Sequence, residues 1–232
     1  MARFFGAVSR FAIFMLVSLI VVTAFTIIVS MAGHTEMRRT LPLYEGPVCA
    51  APPKIAVTRV FNLTGGQGTG FGVDGFVVSN AHVVGIVPLV VMIDENGRLD
   101  LGWVRAKADF DTRSGYADLA VIEPLFGSLS VTDLPLADES RTEAVYTRGF
   151  PKGSLNSTFG VQVPMSTRNA LDTDRVVTSG ASGSPVVNCN GELTGVIATQ
   201  APSAPRLPGT HLRMDNGVVQ VEQVAALLRT VK

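Results

Sequence analysis

The chain has 232 residues, with 19 basic and 19 acidic side chains and so a formal net charge of zero. Balanced charge supplies no global positive field, which excludes a broad electrostatic footprint for nucleic acid. The three histidines (His34, His82, His211) are isolated, and neither His-Glu-x-x-His nor Cys-x-x-Cys occurs, so no metal and no cofactor is expected.

Residues 1–10 form a short N-terminal tail, expected to be cytoplasmic. From Phe11 to Met31 run 21 residues without a charge. As a helix they rise about 31 Å, enough to cross the hydrocarbon core of a bilayer. A single retained transmembrane helix is expected over 11–31, and contact with the lipid bilayer with it. A cleaved signal peptide is the rival, because Ser30-Met31-Ala32 has small residues at cleavage spacing. Arg10 abuts the run while Arg38 lies several residues beyond it, which favours the tail inside and the remaining chain outside. Residues 32–54 carry four prolines (Pro42, Pro47, Pro52 and Pro53) and little periodicity, the pattern of an extended tether.

Short strand-like runs then follow. Ile55–Phe61, Thr69–Val73 and Phe76–Ser79 are separated by Gly65-Gly66-Gln67-Gly68 and by the hairpin pair Asp74-Gly75. Asn80–Val84 reads as one short turn presenting His82. Pro88–Ile93, Leu99–Ala108 and Leu119–Glu123 continue the pattern, with Asn96-Gly97 as a turn. Trp103 and Phe110 read as core or rim side chains. Residues 127–141 are a polar linker. Strands resume over Glu143–Gly149, Thr158–Pro164, Asp174–Thr178, Ser184–Asn188, Glu192–Gln200 and Leu212–Val218. Val221, Val224, Ala225, Leu228 and Val231 recur at helical spacing, so the chain closes on an amphipathic helix. The class is all-β, with 55–126 and 142–232 as its two halves. Cys49 and Cys189 are either one disulfide or two thiols; two cysteines alone do not decide. Asn62-Leu63-Thr64 and Asn156-Ser157-Thr158 match glycosylation acceptors, relevant only in a glycosylating export pathway.

One stretch carries chemistry. In Ser179-Gly180-Ala181-Ser182-Gly183-Ser184-Pro185 a serine sits between glycines that permit a tight turn. Ser182 is the candidate nucleophile, and the N–H groups of Gly180 and Ser182 the candidate oxyanion hole. Ser184 is a rival nucleophile. His82 follows one strand-like run and Asp118 opens another, and the order His, Asp, Ser is one in which triad chemistry occurs. Asp109 and Asp111 could replace Asp118, but a strand starting directly after Asp118 can hold its carboxylate still. Taken singly, a Gly/Ser turn, a strand-end histidine and a turn-capping aspartate are ordinary structure. The joint order makes the catalytic reading the stronger one.

Gly68-Thr69-Gly70-Phe71 with Ser79-Asn80-Ala81-His82-Val83, Asp118-Leu119-Ala120-Val121 and Gly180-Ala181-Ser182-Gly183-Ser184-Pro185 together resemble the trypsin/chymotrypsin-fold serine peptidases. They are most similar to the HtrA (Deg) group and its membrane-anchored members. The likeness covers roughly residues 55–230. Ala181 and Ser184 depart from the commonest form of the nucleophile motif, which also resembles glutamyl endopeptidases and some viral proteases. The resemblance implies two six-stranded antiparallel β-barrels of chymotrypsin type, and catalysis by His82, Asp118 and Ser182 on a protein or peptide substrate. It places the catalytic domain on the periplasmic or extracytoplasmic side. It makes a homotrimer an expectation, as is frequent in that group. The chain stops about a helix after the second barrel, so the PDZ domain common in the group is not expected. In this fold the primary pocket is expected at Val176, Thr199 and Gln200. An apolar base at Val176 disfavours Lys or Arg before the scissile bond, since their charge would be buried unpaired. The alternative is an inactive, membrane-tethered binding module with the same fold.

Overall fold

The computed structural model describes residues 49, 51–109, 117–164, 169–173, 177–199 and 216–232. The expected transmembrane helix over 11–31 and most of the tether lie outside these residues. Among the described residues no helix is long and apolar enough to cross a membrane.

Two closed six-stranded antiparallel barrels make up the fold. Strands β1 (Thr58–Asn62), β2 (Gln67–Val73), β3 (Phe76–Ser79), β4 (Leu89–Asp94), β5 (Leu99–Ala108) and β6 (Leu119–Pro124) close in the order β1-β2-β3-β6-β5-β4. Strands β7 (Glu143–Gly149), β8 (Asn156–Pro164), β9 (Asn169–Thr173), β10 (Pro185–Asn188), β11 (Leu193–Thr199) and β12 (Asn216–Gln220) close as β10-β11-β12-β9-β8-β7. Two helices complete the described chain, α1 (Ala81–Val84) between β3 and β4, and α2 (Val221–Leu228) at the end. Asp74 (φ 52°) and Gly75 (φ 80°) both adopt the left-handed backbone that a two-residue hairpin between twisted strands requires.

Alternation explains where the cores sit. Inward-facing Val60, Val90, Met92 and Ile122 fill the first barrel, and Val145, Leu171, Val186, Ile197 and Val218 fill the second. A third cluster lies between them: Phe71, Val73 and Val121 of the first barrel meet Val187, Leu193 and Val196 of the second. Val224 and Leu228 of α2 pack into that same cluster, as the helical spacing required.

Two strands differ from the sequence reading. The ninth described strand is Asn169–Thr173; of the expected Asp174–Thr178, residues 174–176 lie outside the described residues and Val177 and Thr178 are not in a strand. Val177 is buried in the second barrel's core without being in a strand, so its β-branched character reported burial rather than pairing. The twelfth is described over Asn216–Gln220, past the expected end at Val218, and residues 212–215 lie outside the described residues. Asn216-Gly217, which resembles a turn, instead pairs with Thr199 and Ala198. A third finding concerns the cysteines: Cys49 and Cys189 form a disulfide across 140 residues of sequence.

The barrels are also clamped by charge. Glu95, just past β4, receives two bonds from the Arg148 guanidinium of β7 (2.8 and 2.6 Å) and one from the Val57 N–H (3.1 Å). Burial pushes the Glu95 carboxyl up, but the Arg148 bonds and the Val57 N–H together bring it below its ordinary value. A carboxyl lowered in the folded state stabilises above its unfolded pKa of about 4.3 and loses that contribution as pH falls through the folded value. Arg148→Met is therefore expected to cost about 2 kcal/mol near pH 7, with the gap to wild type closing as pH falls below the unfolded carboxyl pKa of about 4.3. Urea unfolding at several pH values checks this; a gap independent of pH would refute the clamp.

Candidate active site

The register of β3 against β6 builds the first half of the site. Ser79 lies opposite Ala120, so the residues just after β3 face those just before β6. Asn80 ends the strand, and its side-chain N–H donates to the Asp118 carbonyl (2.6 Å). The chain then turns once as α1, placing His82 beside the Asp118 carboxylate. That carboxylate accepts twice from one residue: the His82 backbone N–H reaches Oδ1 (3.0 Å) and Nδ1–H reaches Oδ2 (2.5 Å). Since a carboxylate only accepts, this geometry puts the imidazole proton on Nδ1 and leaves Nε2 as the acceptor. Asp118 is 6% exposed, whereas the imidazole side chain is 47% exposed. One face of the pair is fixed and dry, the other open.

The second half is the turn 179–184. Gly180 (φ 94°) and Gly183 (φ 83°) occupy left-handed backbone. A Cβ at Gly180 would collide with the Phe150 carbonyl, and one at Gly183 with the Thr69 carbonyl. The turn is tied to barrel two by Gly183 N–H to the Ile197 carbonyl (2.7 Å) and Ile197 N–H to the Ser184 carbonyl (2.9 Å).

Thr69 joins the halves, and sequence reasoning missed it. Its N–H donates to the Ser182 carbonyl (2.8 Å) and its hydroxyl to the Gly180 carbonyl (2.8 Å). The hydroxyl also accepts from the Phe150 N–H (3.1 Å), and Ser79 Oγ–H donates to the Thr69 carbonyl (2.6 Å). A first-barrel strand thus holds the nucleophile turn of the second barrel. Next to it, a Cβ at Gly68 would lie 2.5 Å from the Val83 side chain and 2.8 Å from the Ser182 carbonyl oxygen. The helix bearing His82 and the turn bearing Ser182 therefore converge at Gly68. A Thr between two glycines is the available signal, but it reads as strand.

Asn62 was missed as well. It is buried; its Nδ2–H donates to the Val83 carbonyl (2.8 Å) while Oδ1 accepts from the N–H groups of Thr64 and Gly66. Its Asn-x-Thr pattern serves to hold α1 against the β1–β2 loop.

Ser182 and Ser184 are both buried, 3% and 1% exposed, and what distinguishes Ser184 is that its hydroxyl packs against Gly149. Asp109 is exposed and paired with Lys107 (3.0 Å); Asp111 lies outside the described residues. Of the pocket residues, Val176 and Gln200 lie outside them too. Thr199 ends β11, pairing with Asn216 on the β12 side. On the other side β10 reaches only to Val196, opposite Pro185, so among the described residues Ala198 and Thr199 have a strand neighbour on the β12 side alone.

Residues 66–196 match the family model described as a trypsin-like peptidase domain. HhoA of Synechocystis sp., provisionally named a serine protease, is 32% identical over 56% of this chain and 36% of its own length. The mitochondrial serine protease HTRA2 of Drosophila virilis is 32% identical over 62% of this chain and 38% of its own. The chain thus spans under two-fifths of the curated relatives it matches. Among solved structures, the inactive form of the Rv3671c protease of M. tuberculosis superposes with a TM-score of 0.58 at 22% identity. That likeness covers 75% of this chain and 88% of the other and speaks for the fold.

Proposed function

The chain belongs to the trypsin-like peptidase domain family, and from that premise we propose that it is a membrane-anchored serine endopeptidase acting through Ser182, His82 and Asp118. The carrying observation is the double hydrogen bond from His82 to the buried Asp118 carboxylate, beside a serine turn held open by two glycines. Ser182 Oγ attacks the substrate carbonyl carbon while His82 Nε2 takes its proton. Asp118 keeps the imidazole oriented and stabilises it once protonated. The Gly180 and Ser182 N–H groups receive the tetrahedral oxygen, a role worth ~2.7–4 kcal/mol per donor. His82 returns the proton to the leaving amine, and water then cleaves the acyl-enzyme by the same route.

The substrate reading is a protein or peptide whose residue before the scissile bond is small or medium and apolar, received by Val176, Thr199 and Gln200. The uncharged run 11–31 supports anchorage, with the catalytic domain on the extracytoplasmic side, and a disulfide suits that oxidising side. Homotrimeric assembly rests on the HtrA likeness.

A fluorophosphonate label followed by peptide mapping tests the chemistry: the tag is expected on Ser182 and absent from Ser182→Ala. An unlabelled wild type would favour the non-catalytic binding module, and a tag on Ser184 would overturn the assignment. Peptide-library profiling tests the pocket. Cleavage after Lys or Arg would reject an apolar base at Val176.

A further inference from the structure

The outer face of the first barrel carries a feature that peptide hydrolysis does not use. Of the six large hydrophobic side chains exposed among the described residues, four belong to β5 or to the two residues after β6 that bond to it: Leu99 (56% exposed), Trp103 (44%), Leu125 (47%) and Phe126 (71%). The register explains the clustering. Gly102 faces inward, since a Cβ there would meet Met92 and Ile122, so its neighbours Leu101 and Trp103 face outward, and Leu99 with them. Leu101 pairs with Val91, and the Leu125 N–H donates to the Leu101 carbonyl (2.8 Å), which extends the apolar face past the end of β6.

The platform beneath is fixed. The buried Asp100 carboxylate accepts the N–H groups of Phe126 (3.0 Å) and Ser128 (2.9 Å), and Ser128 Oγ–H reaches the Leu99 carbonyl (2.8 Å). The backbone beneath the exposed Phe126 is thus anchored to a buried carboxylate. Arg98, Arg105 and Lys107 stand around the patch, the last two paired with Glu123 and Asp109.

We propose that this face seats in the interfacial layer of a lipid bilayer, with Trp103 at its centre. Three observations select a bilayer over a second copy. The four protruding side chains present on the order of 400 Å² of apolar surface, within the size of the largest patch on an ordinary monomer and about half of what each partner in a stable complex buries. Trp and Phe beside aliphatic residues, rimmed by Arg and Lys, are the composition of a surface that lies in the headgroup boundary. The same chain carries the 21-residue uncharged run at 11–31, and the 17 residues from Ala32 to Val48 can extend up to about 60 Å, so reach is not limiting. Tethering raises the local concentration of the patch at the membrane, so a weak partition suffices. Because Arg105 and Lys107 already have partners, anionic lipid adds little.

The proposal takes its membrane proximity from the anchored reading above, and its test separates the two. Trp103 is the only tryptophan in the chain, which makes it a site-specific probe. The full chain is reconstituted in phosphatidylcholine vesicles with and without lipids brominated near the headgroup end of the acyl chain. Flotation reports anchorage, and Trp103 emission reports docking. Brominated lipid is expected to quench Trp103 at least twofold, and Leu99→Ser with Phe126→Ser to abolish most of that quenching without changing flotation. A chain that floats while Trp103 stays unquenched and open to acrylamide overturns docking alone. A chain that does not float overturns both readings. Shielding of Trp103 in lipid-free detergent that grows with protein concentration would identify a second copy and also overturn the proposal.

Discussion

Ser182→Ala is expected to lower kcat for a peptide substrate about a millionfold, with KM changed only a few-fold. The fold should survive, because the turn is held by main-chain bonds that alanine keeps, including Thr69 N–H to the residue 182 carbonyl. Asp118→Asn is expected to cost about ten-thousandfold. An amide can present its N–H₂ to Nδ1, which forces the imidazole proton onto Nε2 and removes the base. The decisive comparison is the double variant. If the three side chains act as one unit, Ser182→Ala with Asp118→Asn is no slower than Ser182→Ala alone. Multiplying losses would mean that Asp118 acts elsewhere. Circular dichroism and thermal midpoints accompany the kinetics, since Asp118 also receives the His82 backbone N–H and its loss can loosen α1.

How much of this was legible depends on whether a residue acts through its side-chain type or through its place in a register. His82, Asp118 and the Gly180–Gly183 turn carry chemistry in their identities and sit at strand ends, so they could be picked out as candidates, and the structure adds the His82–Asp118 bonds and the left-handed glycines. That the class is all-β was readable because short strands alternate with turn pairs such as Asp74-Gly75, whose backbone is dictated locally, whereas the two-barrel arrangement was implied by the family resemblance. Thr69 was not readable, because its work is done by one N–H on Ser182 and one hydroxyl on Gly180, the latter 111 residues away. Asp94 shows the same limit. It resembles a surface turn residue, yet its buried carboxylate accepts the N–H groups of Asn96, Arg98 and Ser130, fastening the segment after β6 to the barrel. Burial pushes that carboxyl up, and the three N–H groups with the Arg98 charge hold it below its ordinary value. Trp103 was read as core or rim, and its half-exposed outward position follows from Gly102 taking the inward place.

The second large effect concerns the disulfide. Replacing Cys49 and Cys189 together by serine is expected to lower unfolding free energy by about 4 kcal/mol, the scale set by releasing a loop longer than 100 residues in the unfolded chain. For a domain of this size the thermal midpoint should fall by about 10 °C. The β10–β11 turn does not need the bridge for its own shape: Asn188 Oδ1 accepts the N–H groups of Asn190 and Glu192, and Nδ2–H reaches the Glu192 carboxylate. The bridge instead brings the segment before β1 onto the second barrel. There Pro52, Pro53, Lys54 and Ile55 line a cavity of about 330 Å³ with Tyr146 and Arg148. That placement allows two outcomes that urea unfolding separates. A loss near 4 kcal/mol, shared equally by either single serine variant and by the reduced wild type, means the bridge constrains the whole domain. A loss under 1 kcal/mol, with protease nicking confined to residues before Ile55, means that it pins only the entering segment, and the Glu95–Arg148 clamp and the shared apolar cluster hold the barrels together without it.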